Sequence, residues 1–311
     1  MRLGFIMGWN RDRMGFARDH GFRCAELTVD ADTAVLFPGH DGWEAKADQC
    51  REEFLAMELR ISCIGAFYFN HLEGPGADKS TRVVRGAINL AKRMRVPVVA
   101  GFVGKLESHP TDNLASIPRF KEVWTDHVKY AEDNGVKIAI EHCPMGRNHL
   151  PPGGNNFLST PEAWEAAFSE IDSEYFGLEW DPSHLICQFI DPIENLRMFG
   201  SKVNHVHAKD AHVNRDLLSK YGVYDGRVIE HCMPGLGDSN WGLVIKELVR
   251  QGYTHDINIE GWHDAVYRDA GGHLPSDVVN QPGAKFAHGH REDEGLLIAF
   301  NELSKWVPVQ E

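Results

Sequence analysis

Short apolar runs alternate with amphipathic stretches along the whole chain, and this alternation constrains the fold more than any other feature. The predicted strands cover 3–7, 24–29, 61–67, 97–103, 137–142, 176–181, 203–208 and 256–261. The predicted helices cover 11–20, 43–59, 79–94, 115–134, 160–170, 191–199, 240–252 and 290–306. Strands that are apolar throughout are typical of a parallel sheet covered on both faces. Eight such units in 311 residues predict an α/β fold, a (β/α)8 TIM barrel forming a single domain over 1–311, with a doubly wound sheet as the alternative.

Some connections after the predicted strands are long, at about 143–158, 212–239 and 262–290. Loops of this length in a barrel usually carry function or contribute to an interface, so they also suggest a homo-oligomer. Helix starts are indicated by Ser159 or Thr160 before Pro161, and by Asp238 or Ser239 before Trp241.

Four of the predicted strands end in a side chain that can bind a metal ion. They are Glu141 in IAIEHC, Asp181 in FGLEWDPSHL, His207 in VNHVHAKDAH and Glu260 in INIEGWHD. A charged side chain costs free energy where the surroundings are apolar, so the recurrence of such groups asks for a reason. The carboxyl ends of barrel strands meet at one face, and three carboxylates with one imidazole suit Mn²⁺, Mg²⁺ or Co²⁺. The alternative is that each is an ordinary polar residue at a strand end.

The same strand ends resemble those of the xylose isomerase-like TIM barrels, a superfamily of sugar isomerases, epimerases and inosose dehydratases. The resemblance extends over essentially the whole chain and is carried by Glu141 in IAIEH, Asp181 and His184 in DPSH, His207, Lys209 and Asp210 in HVHAKD, Glu260 in NIEGW, and PGLGDSNW at 234–241. It implies that Glu141, Asp181, His207 and Glu260 ligate one divalent ion, Mn²⁺ in first place, with Mg²⁺, Co²⁺ or Zn²⁺ as alternatives.

The chemistry implied is proton transfer on a keto-sugar, a keto-glycoside or a cyclitol. The ion would act as a Lewis acid, and Glu141 and Glu260 would serve as the acid and the base. The substrate would pass through an enediolate. Returning the proton on the other face gives isomerisation or epimerisation. Expelling a β-substituent instead gives a lyase reaction, such as inosose dehydration or cleavage of a 3-keto-glycoside, and the spacing of the residues does not separate these outcomes.

Several further residues are candidates for binding the substrate. His184 is expected to contact a sugar hydroxyl, with an ordinary loop histidine as the alternative. Lys209 would neutralise charge on a substrate oxygen or form a plain ion pair, and Asp210 would orient an imidazole. Trp9 and Trp262 follow the first and last strands and would stack on a sugar ring or pack at the rim. Glu26 would point into the barrel near the substrate or pair with Arg2 or Arg23, and a structural or supporting role is expected for it.

Two positions depart from the ketohexose 3-epimerases within this superfamily. Where those enzymes carry a glutamate six residues after the first metal ligand, this chain has Arg147. Where they carry an arginine six residues after the metal histidine, it has Val213, with Arg215 two residues later. Free ketohexoses are therefore not the expected substrates. Arg147 is a candidate for binding a substrate carboxylate or phosphate, or a partner subunit, and Arg215 is a further candidate for substrate binding.

Other partners are disfavoured by charge and hydropathy. The formal net charge of −13 argues against nucleic acid and anionic membranes. No run is long enough for a signal peptide or a membrane span, which predicts a cytoplasmic protein. An AP endonuclease would need extra zinc ligands, of which only His71 offers a counterpart. A non-catalytic sugar-binding barrel is the remaining alternative.

Overall fold

The computed structural model describes residues 1–144, 156–261, 264–268 and 291–307, and eight of its strands form a closed barrel. The strands are β1 (Leu3–Met7), β2 (Cys24–Thr28), β3 (Arg60–Phe67), β4 (Val98–Gly101), β5 (Lys137–Glu141), β6 (Phe176–Trp180), β7 (Val203–Ala208), β8 (Asp210–Val213), β9 (Ile229–Cys232) and β10 (Ile257–Ile259). The barrel runs β1-β10-β7-β6-β5-β4-β3-β2, and all its ladders are parallel. The TIM barrel prediction is confirmed, and the doubly wound sheet is wrong.

Helices follow the barrel strands and cover their outer faces. They are α1 (Arg11–Asp19), α2 (Trp43–Ala56), α3 (Pro75–Met94), α4 (Ile117–Asn134), α5 (Pro161–Glu170), α6 (Pro182–Ile186), α7 (Pro192–Phe199), α8 (Arg215–Tyr221), α9 (Trp241–Arg250) and α10 (Arg291–Leu303). Short 3-10 turns at 114–116 and 200–202 precede α4 and β7. Within the described ranges, none of the helices is long and apolar enough to cross a membrane.

The helix ends show which capping residues the chain uses. Thr160 caps α5 by accepting a hydrogen bond from the Ala163 N–H, with Pro161 in the first turn, as predicted. The cap of α9 is Asn240, which accepts from the Leu243 N–H, so the prediction of Asp238 or Ser239 was wrong. Gly135 ends α4 at a φ of 67°, a left-handed conformation that glycine adopts without steric cost.

The connection between β7 and α9 is structured and is not the plain loop predicted over 212–239. Here β8 and β9 pair as an antiparallel hairpin, with Ala211 opposite His231, and α8 lies between the two strands. The hairpin has a small apolar core of its own, formed by Ile186, Cys187, Ala211, Val213, Val228 and Ile229. Because Ile186 ends α6 and Cys187 directly follows it, the hairpin is packed against the segment that follows β6.

The barrel interior is unusually polar for a TIM barrel core. Small side chains fill one part of it, namely Cys63, Val98, Ala100 and Ala139. Glu26, Glu179 and His205 are also completely buried. Ordinary TIM barrel interiors are filled with layers of branched aliphatic residues, so this polar cluster calls for a functional or structural explanation.

Two histidines outside the barrel interior are buried in an apolar environment. The ring of His71 stacks on Phe69 at a centroid distance of 4.9 Å and meets Trp124 edge-on at 5.6 Å. Burial, and then the nearby His127, lower the pKa of His71 to about 3. Burial also lowers the pKa of His127 to about 4. Both rings are therefore neutral in the folded protein near neutral pH.

We expect these histidines to make the protein sensitive to acid. Their pKa values in the folded protein lie below the unfolded value of about 6.5. The contribution of the two neutral rings to the free energy of unfolding is therefore fully present above pH 6.5 and is lost as the pH falls towards 3. At pH 5, each should lower the free energy of unfolding by about 2 kcal/mol relative to pH 8. Urea unfolding at both pH values should show a smaller loss for His71→Leu than for the wild type. The exposed His109→Leu is the control, and an unchanged pH slope in His71→Leu would contradict the expectation.

Candidate metal centre and active site

The four residues predicted to bind a metal lie at the carboxyl ends of neighbouring strands. Glu141 is the last residue of β5, Asp181 follows β6, His207 is in β7, and Glu260 follows β10. In the barrel, β5, β6, β7 and β10 are adjacent in this order. All four side chains are buried. The fold therefore brings together four polar residues that are spread over 120 positions of the sequence.

One group of potential ligands consists of three of these carboxylates and His184. One potential ligand atom from each of Glu141, Asp181, His184 and Glu260 lies within 4.8 Å of the others. The His184 Nε2 is 3.1 Å from the Glu141 Oε1 and 3.5 Å from the Asp181 Oδ2. Asp181 makes this possible because its carboxylate caps α6, accepting the Ser183 N–H at 2.7 Å, and His184 is on that helix. His142 supports the turn by accepting the Asp181 N–H at 2.9 Å.

One ring nitrogen of His207 lies beside this group, and the other contacts a second pair of carboxylates, those of Glu26 and Glu179. Its Nδ1 is 3.4 Å from the Glu260 Oε2, while its Nε2 is 2.6 Å from the Glu26 Oε2 and 3.1 Å from the Glu179 Oε1. The Nδ1 is buried and makes no hydrogen bond. The predicted histidine ligand thus presents a nitrogen at the edge of the carboxylate group.

Lys209 places its ammonium among the same carboxylates. The Nζ is 2.7 Å from the Glu260 Oε2, 3.1 Å from the Asp181 Oδ2 and 3.1 Å from the His184 Nε2, and the residue is buried. Burial alone would lower the pKa of Lys209, but Asp181 and Glu260 hold it well above its usual value. The plain surface ion pair considered for Lys209 is therefore wrong, because the pair is buried.

The carboxylates strongly influence one another. Burial, and then the Glu260 carboxylate, raise the pKa of Glu141 well above its usual value. Burial also raises the pKa of Asp181, although Lys209 opposes the shift. Burial alone would raise the pKa of Glu179, but the imidazoles of His207 and His205 lower it to about 2. The region thus concentrates more acidic groups than its neighbouring cations balance.

These features fit a divalent cation. Five buried carboxylates lie close together, those of Glu26, Glu141, Glu179, Asp181 and Glu260. The basic groups beside them are Lys209, His205 and His207. A hard, oxygen-rich donor set with one imidazole suits Mn²⁺, Mg²⁺ or Co²⁺, and Zn²⁺ also accepts these ligands.

The remaining predicted binding residues are more dispersed. Trp9 is half-buried and donates its indole N–H to the Glu53 Oε2 at 2.9 Å, which fixes the ring against α2. Arg215 is exposed at the first residue of α8. Arg147 and Trp262 lie outside the described residues, as do most of the segments 143–158 and 262–290.

Asp210 has a role different from the one predicted. Its carboxylate accepts hydrogen bonds from the Trp241 indole at 3.0 Å and from the N–H groups of Ala211, Gly235 and Ser239. It therefore organises the PGLGDSNW turn rather than orienting an imidazole. Glu26 is buried and pairs with His207, so of its predicted alternatives only the pairing with Arg2 or Arg23 is wrong, and Arg2 pairs with Asp256.

Three residues near the site were missed in the sequence. Glu179 and His205 each stand two positions before a predicted ligand, Asp181 and His207 respectively. Alternation along a strand directs residues i and i+2 to the same face, so the pattern contained this signal. The third is His231 in β9, whose ring lies 5.8 Å from that of His184. No local pattern indicates it, because it is brought there by the hairpin.

A sequence model described as the xylose isomerase-like TIM barrel matches residues 14–285. The chain belongs to the xylose isomerase-like TIM barrel family. It is 29% identical over 277 residues to the uncharacterized protein YfiH of Bacillus subtilis, covering 80% of this chain and 87% of YfiH. It is 27% identical over 145 residues to an inosose dehydratase of Clostridium beijerinckii, covering 44% of each chain.

Solved structures of other proteins share the barrel fold. A D-psicose 3-epimerase from Clostridium cellulolyticum H10, solved with D-tagatose, has a TM-score of 0.70 at 15% identity and covers 99% of this chain and all of its own. The IolI protein with a bound zinc atom has a TM-score of 0.66 at 17% identity, with 99% of this chain and all of IolI covered. At these identities the likeness shows the fold alone. The proteins named in these comparisons thus include an epimerase, an inosose dehydratase and a protein with a bound zinc atom.

Proposed function

We propose that this protein is a divalent-metal-dependent isomerase or epimerase of a keto-sugar or keto-glycoside. The observation that carries the proposal is the convergence of Glu141, Asp181, His184 and Glu260 at the carboxyl end of the barrel, with ligand atoms within 4.8 Å. Active sites of TIM barrel enzymes are built at this face. Membership of a family that contains sugar epimerases supports the substrate class.

The residues that would hold the ion are Glu141, Asp181, His207 and Glu260. The Nδ1 of His207 is buried without a hydrogen bond, and it lies 3.4 Å from the Glu260 Oε2. When bound, a divalent ion supplies Lewis-acid stabilisation of the negative charge that develops on the substrate oxygens. Mn²⁺ is the ion that we expect to suit this mixed set best, while the donor chemistry also accommodates Mg²⁺, Co²⁺ and Zn²⁺.

Glu141 and Glu260 would carry the proton transfer. Glu141 ends β5 and Glu260 directly follows β10, and these two strands are separated in the barrel by β6 and β7. A bound substrate would therefore meet one carboxylate from each of two different strands. One removes a proton from carbon to give an enediolate, and the other returns a proton. Return to the opposite face of the same carbon is epimerisation, and return to the neighbouring carbon is isomerisation.

Polar groups around the carboxylates would bind the sugar hydroxyls. His184 and Lys209 lie within the group itself: the Lys209 Nζ is 3.1 Å from the His184 Nε2 and donates to the Glu260 Oε2 at 2.7 Å, and the His184 Nε2 is also 3.1 Å from the Glu141 Oε1. Lys209 would stabilise charge on a substrate oxygen. Trp9, Trp262, Arg147 and Arg215 remain proposed contacts from the sequence, the aromatic rings for the sugar face and the arginines for an acidic substituent.

A lyase reaction is the second candidate, and the similarity to an inosose dehydratase favours it. The same glutamates would form the same enediolate. The difference is that a β-hydroxyl or β-alkoxy group leaves before a proton returns, so that the product is an unsaturated ketone. Glu141, Glu260 and the protonated groups beside them would then deliver the proton to the leaving oxygen.

The test is to incubate the Mn²⁺-loaded protein in D₂O with a panel of 3-keto-sugars, 3-keto-glycosides and inososes. An epimerase should yield an epimer that carries deuterium at the inverted carbon, as read by NMR and mass spectrometry. A lyase should yield an unsaturated ketone or a released aglycone. Protein stripped of metal by a chelator is the control and should regain activity on adding Mn²⁺. If the stripped protein turns over at the full rate, the metal-dependent mechanism is wrong.

A further inference from the structure

A completely buried cluster of acidic and imidazole side chains lies against the proposed metal centre, on the inner side of His207. It consists of Glu26 from β2, Glu179 from β6 and His205 from β7, each with no exposed surface. We call these three residues the inner cluster. None of them is among the four proposed metal ligands, and the chemistry above does not use them. Buried charges cost free energy, so their retention in the barrel interior needs a reason.

Two carboxylates of the inner cluster contact the Nε2 edge of the His207 ring. The His207 Nε2 is 2.6 Å from the Glu26 Oε2 and 3.1 Å from the Glu179 Oε1. His205 bonds through its Nδ1 to the same Glu179 oxygen at 2.8 Å and is 3.6 Å from the Glu26 Oε2. The two carboxylates thus share two imidazoles, and the ring of His207 is held from two directions.

The position of Glu26 is itself enforced by its surroundings. A Cβ atom at Gly65 would lie 2.6 Å from the Glu26 Oε1 and 1.8 Å from the Tyr68 hydroxyl. The absence of a side chain at Gly65 therefore leaves the space that the Glu26 carboxylate and the Tyr68 hydroxyl occupy. The Tyr68 hydroxyl is 3.5 Å from the same oxygen. This close packing leaves little freedom for the carboxylate to move away from His207.

An ionised carboxylate only accepts hydrogen bonds, and this decides which nitrogen of His207 carries the proton. The Nε2 must therefore carry the proton and donate it to Glu26, with the Glu179 Oε1 close by at 3.1 Å. A ring with one proton then has its lone pair on the Nδ1, which is the nitrogen that points towards Glu260 and makes no hydrogen bond. We infer that Glu26 and Glu179, braced by His205, are positioning residues that hold His207 with its Nδ1 ready to ligate the metal. The inference rests on the proposed metal centre.

A competing explanation is that the inner cluster binds an ion of its own. Ligand atoms of Glu26, Cys63, Glu179 and His205 also lie within 4.8 Å of one another. The hydrogen bonds of both carboxylates to imidazoles favour the positioning role, since the same oxygens would have to leave those rings in order to bind an ion. The two explanations differ in stoichiometry, which is one metal ion per chain for positioning and two for a second site.

The experiment compares Glu26→Gln, Glu179→Gln and the double variant with the wild type in calorimetric titrations with Mn²⁺. Glutamine keeps the volume of the side chain but removes the charge and allows an N–H to face the His207 Nε2. Partners of metal-binding histidines typically contribute about 10- to 100-fold in metal affinity. We therefore expect each single variant to bind Mn²⁺ about 10-fold more weakly, and the double variant about 100-fold more weakly. The visible spectrum of bound Co²⁺ should also change, because the imidazole ligand is perturbed.

Asp256→Asn is the matched control. Asp256 is a buried carboxylate directly before β10, at the other end of the barrel, where it pairs with Arg2 and Arg60. It should lose stability without losing Mn²⁺ affinity. Unchanged affinity in both single variants, or two ions bound per chain by the wild type, would overturn the positioning role while leaving a metal enzyme in place. A wild type that binds no divalent ion would overturn both the inference and the proposed function.

Discussion

Replacing Glu141 or Glu260 with glutamine should lower the turnover number by about 10³-fold or more. Each side chain is proposed both to hold the ion and to transfer a proton, and general acid–base catalysis alone contributes about 10² to 10⁴. Glutamine is nearly isosteric, so the barrel should remain intact. Activity is measured as the rate of deuterium incorporation from D₂O with the substrate that the wild type accepts.

The two roles of these glutamates can be separated by measuring metal binding in parallel. A variant that retains Mn²⁺ affinity but has lost turnover identifies a proton-transfer group, and one that has lost both identifies mainly a ligand. The control is Glu230→Gln, a change at an exposed glutamate in β9. Wild-type turnover in both Glu141→Gln and Glu260→Gln would rule out their assignment as acid and base.

Replacing Lys209 with methionine should destabilise the metal-free protein by about 3 to 5 kcal/mol. Removing one partner of a buried ion pair leaves the other charge uncompensated, and here Asp181 and Glu260 lose an ammonium at 3.1 and 2.7 Å. Excess Mn²⁺ should restore much of the lost stability, because the ion supplies the missing positive charge. The measurement is urea unfolding of both proteins with and without Mn²⁺, and the gain from the metal should be larger for the variant.

Lys105→Met provides the comparison for a buried lysine outside the site. Lys105 is 2% exposed, and its ammonium donates to the Pro110 carbonyl at 2.9 Å. Its loss should lower stability to the same degree with and without Mn²⁺. If Lys209→Met is as stable as the wild type without metal, the ammonium does not balance the carboxylates as the distances indicate.

Much of the barrel could be predicted because its signals are local. The runs at Leu3–Met7 and Val98–Gly101 are apolar at nearly every position, and strands buried on both faces require this. The β8–β9 hairpin was missed, since IEHC and DAHV are short and mixed in polarity, and they become strands only by pairing with each other. Asn240 caps α9 in preference to Asp238, whose carboxylate instead accepts the Val213 N–H at 3.0 Å.

The sequence by itself determined the eight βα units and the four potential ligands Glu141, Asp181, His207 and Glu260. A polar residue at the end of an apolar strand can be recognised in the sequence alone, because the pattern is local. Only the tertiary structure decided that Lys209 inserts among the carboxylates and that Glu26 reaches His207 from a strand 181 residues away. Such contacts depend on the closure of the barrel, which sets residues from distant strands side by side. Charge compensation within a buried site is therefore a property of the closed fold, and no local pattern in the chain encodes it.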